Sequence, residues 1–167
     1  MVWKIIVGVF LFSLAYAAAS GAPWIPTRKR DFERIGRLLD LKQGEIVYEL
    51  GCGDGRLCFY LAKKYGVNAV GVELSLLQYM VAMIRKVVGG YKNVSIKFGN
   101  AMSRNLSEAD AVYMFVMPDF YRDIRPKFEK ELKQGARVAS YVWPIPDWEP
   151  VQVDTKEAEQ DVYLYIF

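Results

Sequence analysis

Histidine is absent from all 167 residues. The commonest general base near neutral pH and the commonest metal ligand are therefore missing, which gives weight to chemistry that needs no strong base and no metal. Cysteine is nearly as scarce: Cys52 and Cys58, six positions apart, fit neither a zinc-ligand spacing nor a disulfide framework and read as free thiols of a reducing compartment. A net charge of +3 is too small to argue for a nucleic-acid partner. There is no internal repeat, and 53% hydrophobic with 25% charged residues is the balance of a folded α/β domain plus a short appendage, not of a disordered chain. Two nucleotide fingerprints are missing as well. G-x-G-x-x-G would require glycine at position 56, which is Arg56, and no G-x-x-x-x-G-K-[ST] occurs.

What is present centres on Val47 to Leu57. A β-prone apolar run, Ile46 to Leu50, enters a turn with glycine at 51, 53 and 55, and the turn opens into a helical segment from Leu57 to Tyr65. Glycine permits positive φ and leaves no Cβ where a ligand must approach the main chain, while the start of a helix offers free N–H groups. Glu49 precedes the turn, and Glu73 closes the next strand-like run, Ala69 to Glu73. A carboxylate there suits the two hydroxyl donors of a ribose diol. Acids without a phosphate-binding lysine favour a cationic nucleoside over a pyrophosphate. Another Gly-rich turn of an unrelated α/β protein is the bland alternative.

The pattern Glu49-x-Gly51-x-Gly53-x-Gly55 followed by Glu73 resembles the first two motifs of class I S-adenosylmethionine-dependent methyltransferases. Pro23-Trp24-Ile25-Pro26-Thr27, a short helix, then the strand and Gly-Cys-Gly-Asp-Gly-Arg further resemble the small archaeal protein-lysine methyltransferase and the mitochondrial family that methylates lysines on inner-membrane proteins such as the c subunit of ATP synthase. Trp24 stands where those proteins usually carry tyrosine. The resemblance implies that the segment before the core lies over the cofactor cleft. It implies S-adenosyl-L-methionine contacts from Thr27, Glu49, Gly51, Cys52, Gly53, Gly55, Glu73, Leu74, Asn100, Ala101 and Phe115, with Asn100 where most relatives place an aspartate. Substrate contacts fall to Trp24, Val116, Pro118, Trp143 and Trp148. No metal ligand and no catalytic base are assigned. The partners implied are protein substrates bearing lysine, among them membrane proteins. Small-molecule methylation and an inactive cofactor-binding scaffold are the alternatives.

The rest of the chain supports an α/β order. Thr27 can cap a helix with Phe32, Ile35, Leu38 and Leu39 on one face. Ser75 can cap a helix to about Val88, whose stripe Leu76, Leu77, Met80, Met83, Ile84 and Val87 reads as core. Further strands are expected at Val94 to Phe98, Ala109 to Phe115 and Ala136 to Val142. A helix is expected from Phe120 to Lys133 with Pro126 as a kink or fresh first turn, and a final antiparallel pair at 151–153 and 162–167. Asn100 doubles as an ordinary turn residue and Asp119 as a cap. The rigid loop Trp143-Pro144-Ile145-Pro146-Asp147-Trp148 is either a plug at the sheet end or, with Tyr141, an aromatic wall of a substrate channel. Alternation from residue 46 onward predicts a Rossmann-like, mostly parallel sheet with helices on both faces, over residues 23–167.

Residues 1–22 read separately. Ile5 to Ala22 is an uncharged run of 18 residues, which as a helix would be about 27 Å long. Arg28, Lys29, Arg30, Arg34 and Arg37 follow it, and the positive-inside rule then predicts a single-pass N-terminal membrane anchor with the catalytic part facing the cytoplasm. Ala15-Tyr16-Ala17 also imitates a signal-peptide cleavage site, the rival reading.

Overall fold

A single sheet of seven strands, in the order β3-β2-β1-β4-β5-β7-β6, organises the computed structural model. The structure describes residues 2–4, 7–8, 11, 15, 25–157 and 159–167. The strands are β1 Ile46–Leu50, β2 Asn68–Glu73, β3 Val94–Phe98, β4 Ala111–Met114, β5 Arg137–Tyr141, β6 Gln152–Asp154 and β7 Val162–Ile166; the helices are α1 Phe32–Leu38, α2 Arg56–Tyr65, α3 Leu76–Gly89 and α4 Pro118–Glu131. The first five strands are parallel, and β7 runs antiparallel to both β5 and β6. This is the Rossmann-like arrangement expected from the alternation.

Chain order reverses between β1 and β4, which pair with Leu50 opposite Met114. A doubly wound sheet opens its ligand crevice outside the carboxyl ends of the strands at such a switch point. The residues that follow Leu50 and Met114 therefore face one another across the cleft. All four residues of β4 are buried, as a central parallel strand covered on both faces requires.

Helix α1 buries Phe32, Ile35 and Leu38, the expected face. Thr27 does not cap it: its hydroxyl is hydrogen-bonded to the Tyr113 hydroxyl of β4 at 2.7 Å. Arg34, almost wholly buried, donates to Asp31, Asp154 and Glu159, so α1 is tied to the β6 end of the sheet by a charged network. Pro126 neither ends nor restarts α4, which is continuous from Pro118 to Glu131.

Two larger expectations also fail. Most of the α3 stripe is not core: Met83 packs against the core, but Met80, Ile84 and Val87 are 52%, 61% and 75% exposed, as is the following Val88 at 83%, while Gln78 and Ala82 are the buried positions. The helix lies over β2 and the edge strand β3, and beyond that edge no further strand covers its outer side among the described residues. The membrane anchor is the second. Among the described residues no helix is long and apolar enough to cross a membrane. Val7, Gly8, Leu11 and Ala15 are helical and exposed, the other positions of the predicted run lie outside the described residues, and apolarity along a sequence does not by itself supply the continuous helix of about 20 residues that a bilayer span requires.

Candidate active site

The turn after β1 is built by three left-handed glycines, Gly51, Gly53 and Gly55, at φ 76°, 55° and 74°. The N–H groups of Gly51 and Cys52 donate to the Val72 carbonyl at 2.9 and 3.0 Å, which pins the turn to β2. Their roles differ. A Cβ on Gly51 would sit 3.8 Å from the Val116 side chain across the cleft, whereas one on Gly55 would meet the Phe59 ring at 2.9 Å. Gly51 keeps the cleft open, and Gly55 serves the packing of α2.

Glu73 ends β2 beside this turn. One carboxylate oxygen accepts the Gly53 N–H at 2.7 Å and the other the Ser75 N–H at 2.6 Å. Burial raises its pKa against the opposing pull of the Ser75 and Gly53 bonds. The Leu74 N–H adds to that pull, and the carboxylate, with about four acceptor sites, still has capacity for a ligand hydroxyl. Glu49, beneath the turn, is pushed up to about 8 by burial, while the thiol and N–H of Cys58 donate to it at 2.9 and 3.1 Å. Asp54 is different. Burial opposes its ionisation, but the Arg56 hydrogen bonds and the charges of Arg56 and Arg85 hold it below the ordinary carboxylate range. Cys52 and Cys58 are buried free thiols with raised pKa values, unsuited to act as nucleophiles.

Two cavities lie at the switch point. The first is lined by Leu50, Gly51, Val72, Glu73, Leu74, Gly99, Asn100, Ala101, Val116 and Phe120. The second is lined by Ile25, Pro26, Arg28, Phe115, Val116, Met117, Tyr141, Val142, Trp143 and Gln160. Val116 belongs to both. The first cavity unites Gly51, Glu73, Leu74, Asn100 and Ala101 of the sequence-derived set, although the Asn100 carbonyl oxygen also accepts the Met102 N–H at 2.9 Å as a local cap.

The second cavity is mostly apolar. Phe115 meets Tyr141 edge-on with centroids 5.0 Å apart, and the Tyr141 hydroxyl donates to the buried Asp31. Burial, then Asp31, raises the Tyr141 pKa far above the ordinary phenol. Val142 takes φ 76°, a left-handed conformation costly for a β-branched residue, and its N–H donates to the Asp161 carbonyl at 2.9 Å. That kink ends β5 and swings Trp143 onto the cavity. No carboxylate is among the residues lining it.

Other predicted positions fall elsewhere. Trp148 packs on Phe128, Tyr165 and Phe167 with the Arg125 guanidinium 5.3 Å from its ring, and so lies against α4 and β7. Pro118 starts α4 one residue beyond the lining Met117, Cys52 is buried within the turn, and Trp24 lies outside the described residues. Arg28, Val142 and Gln160 were not singled out from the sequence. Arg28 stood in a basic stretch that looked like a charge flank, and nothing local marks Gln160. Among the described residues no cluster of three metal-ligating side chains occurs.

Comparisons with known proteins place the chain among methyltransferases. The family model described as the ANTKMT methyltransferase domain matches residues 49–152. A protein-lysine N-methyltransferase of Saccharolobus islandicus (strain REY15A) is 37% identical over 150 residues, covering 86% of this chain and 92% of that protein. The Homo sapiens lysine N-methyltransferase named for the c subunit of ATP synthase is 31% identical over 145 residues; the match takes in 86% of this chain but 60% of the human protein's length. Among solved structures, an RNA methyltransferase from Salinibacter ruber in complex with S-adenosyl-L-homocysteine superposes with a TM-score of 0.81 at 27% identity, over 85% of this chain and 93% of that one.

Proposed function

The chain belongs to the ANTKMT methyltransferase domain family, and from that premise we propose that it is a protein-lysine N-methyltransferase using S-adenosyl-L-methionine. The observation that carries the acceptor side of this reading is the apolar cavity that touches the glycine-turn cavity through Val116 and contains no carboxylate.

The residues fit the cofactor. Glu73 keeps acceptor capacity for a ribose hydroxyl, Gly51 leaves the approach to the main chain clear, and Asn100 and Ala101 offer an edge for the base. When bound, S-adenosylmethionine supplies an electrophilic methyl group on a cationic sulfur. The protein's own contribution is then alignment and desolvation of the amine. A lysine ammonium of pKa about 10.4 has no lone pair to give. The walls formed by Phe115, Tyr141, Val142 and Trp143 strip water from the incoming group, and desolvation favours its neutral form. Arg28, on the same cavity, disfavours a second cation there. The aromatic faces guide the side chain inward. The proton leaves to water, because among the described residues no side chain of the cavity is placed as a base.

Incubating the purified protein with methyl-tritiated S-adenosylmethionine and a lysate, then separating protein, RNA and small molecules, tests this assignment. Label that survives protein hydrolysis as methyl-lysine is expected. Label confined to RNA, the acceptor class of the Salinibacter ruber relative, or to small molecules, would overturn the assignment.

A further inference from the structure

Helix α3 leaves part of its apolar side chains uncovered, although Tyr79 and Met83 pack on the core. Its buried positions are Gln78 and Ala82, while Ile84 and Val88 stand exposed on its outer side. Between this helix and α2 runs a groove of about 650 Å³, about three times the 220 Å³ of the acceptor cavity and large enough for a peptide segment rather than one side chain. Its charge is one-sided: Lys29, Arg56, Lys63 and Arg85 line it, and no acid does. Arg56 and Arg85 are both held by Asp54, at 2.6 and 3.0 Å, so these cations are preordered. Lys29 and Lys63 have no carboxylate partner among the described residues. Arg28 lines the acceptor cavity and its chain neighbour Lys29 lines the groove, so one stretch of chain borders both.

We propose that this groove is a docking site for an acidic segment of the protein substrate carrying aliphatic anchors, lying beside the lysine to be methylated. Carboxylates of the segment pair with the Lys29 and Lys63 ammonium groups, and its aliphatic side chains cover Ile84 and Val88. The aliphatic lip of Ile84 and Val88 favours a peptide over RNA, and the aromatic rings of the groove are engaged with one another, Tyr91 stacked on buried Phe59 at 4.6 Å and Tyr60 tilted against buried Phe32 at 5.4 Å. Concavity favours a peptide over a flat bilayer. The proposal rests on the lysine-methyltransferase reading, and it assigns substrate selection to a surface outside the reacting centre.

The test uses a fluorescent peptide with alternating aspartate and isoleucine joined by a Gly-Ser spacer to norleucine, which cannot be methylated, and a second peptide with asparagine for aspartate. Fluorescence anisotropy should show the acidic peptide binding the full chain, more weakly as salt rises. The double variant Lys63→Glu, Ile84→Asp should lose roughly tenfold or more of that affinity while its melting temperature and S-adenosylhomocysteine affinity stay unchanged. With lysine in place of norleucine, the variant should raise KM for the acidic peptide and leave kcat alone. Equal binding of both peptides, unchanged binding by the variant, or affinity for phosphatidylglycerol vesicles in place of the acidic peptide would overturn the docking site. Anisotropy needs no catalysis, so a protein that binds the peptide but never methylates lysine would sink the functional reading instead.

Discussion

Glu73 accepts the Gly53 N–H at 2.7 Å, so the acid that closes β2 also fixes the turn that follows β1. On the proposed reading, one side chain thereby shapes the cofactor seat and would supply its hydroxyl acceptor. Replacing Glu73 with alanine removes both roles. Hydrogen bonds to a charged group are worth about 1.5 to 3 kcal/mol, so affinity for S-adenosylhomocysteine should fall roughly ten- to a hundredfold. Titration calorimetry measures it, and unimpaired binding would refute the ribose assignment.

Gly55 makes a separable prediction. Alanine there would adopt φ near 74° and press its Cβ against Phe59 at 2.9 Å. Left-handed strain alone costs about 1 to 2 kcal/mol. The variant should melt several degrees lower, by differential scanning calorimetry, while Gly90→Ala, with φ 64° but open space around it, should lose less.

Titration of Glu49 should be visible in stability. Its folded pKa, about 8, lies above the ordinary 4.5 because the carboxyl is buried. The proton is therefore bound more tightly in the folded state. This contribution is complete below about pH 4.5 and is lost as pH rises through about 8. Glu73 shifts in the same direction. Unfolding free energies from urea titrations should fall from pH 5 to 8 by up to about 1.4 kcal/mol per pH unit for each such group. Glu49→Gln should flatten that slope, and an unchanged slope would contradict the burial argument.

Arg28 is predicted to act on the acceptor through charge. Arg28→Met should move the acid limb of the kcat profile, which reports the enzyme–substrate complex, toward higher pH, because a lysine held in the cavity then keeps its proton more readily. An unshifted profile would remove Arg28 from that role.

Much of this architecture was legible because its signals are local. The β1 run, the alternating glycines and Glu73 lie within a short stretch, and each has a backbone reason to be what it is. The α3 stripe shows the limit. Helical spacing of Met80, Ile84 and Val87 defines a face but not what covers it, and the sheet ends at β3 before reaching that side. The tryptophan loop fails as a unit for a similar reason. The left-handed Val142 sends Trp143 to the acceptor cavity, while Trp148 returns to pack on Phe128 and Phe167. Thr27 looked like a helix cap from its neighbours, yet its partner is Tyr113, 86 residues away.

Tandem mass spectrometry on an acceptor protein incubated with the purified enzyme and S-adenosylmethionine addresses the central claim most directly. A methyl increment localised to lysine side chains, absent with Glu73→Ala, is the predicted result. Methylation localised to any other group, or lysine methylation undiminished in the Glu73 variant, would contradict the account of how this crevice works.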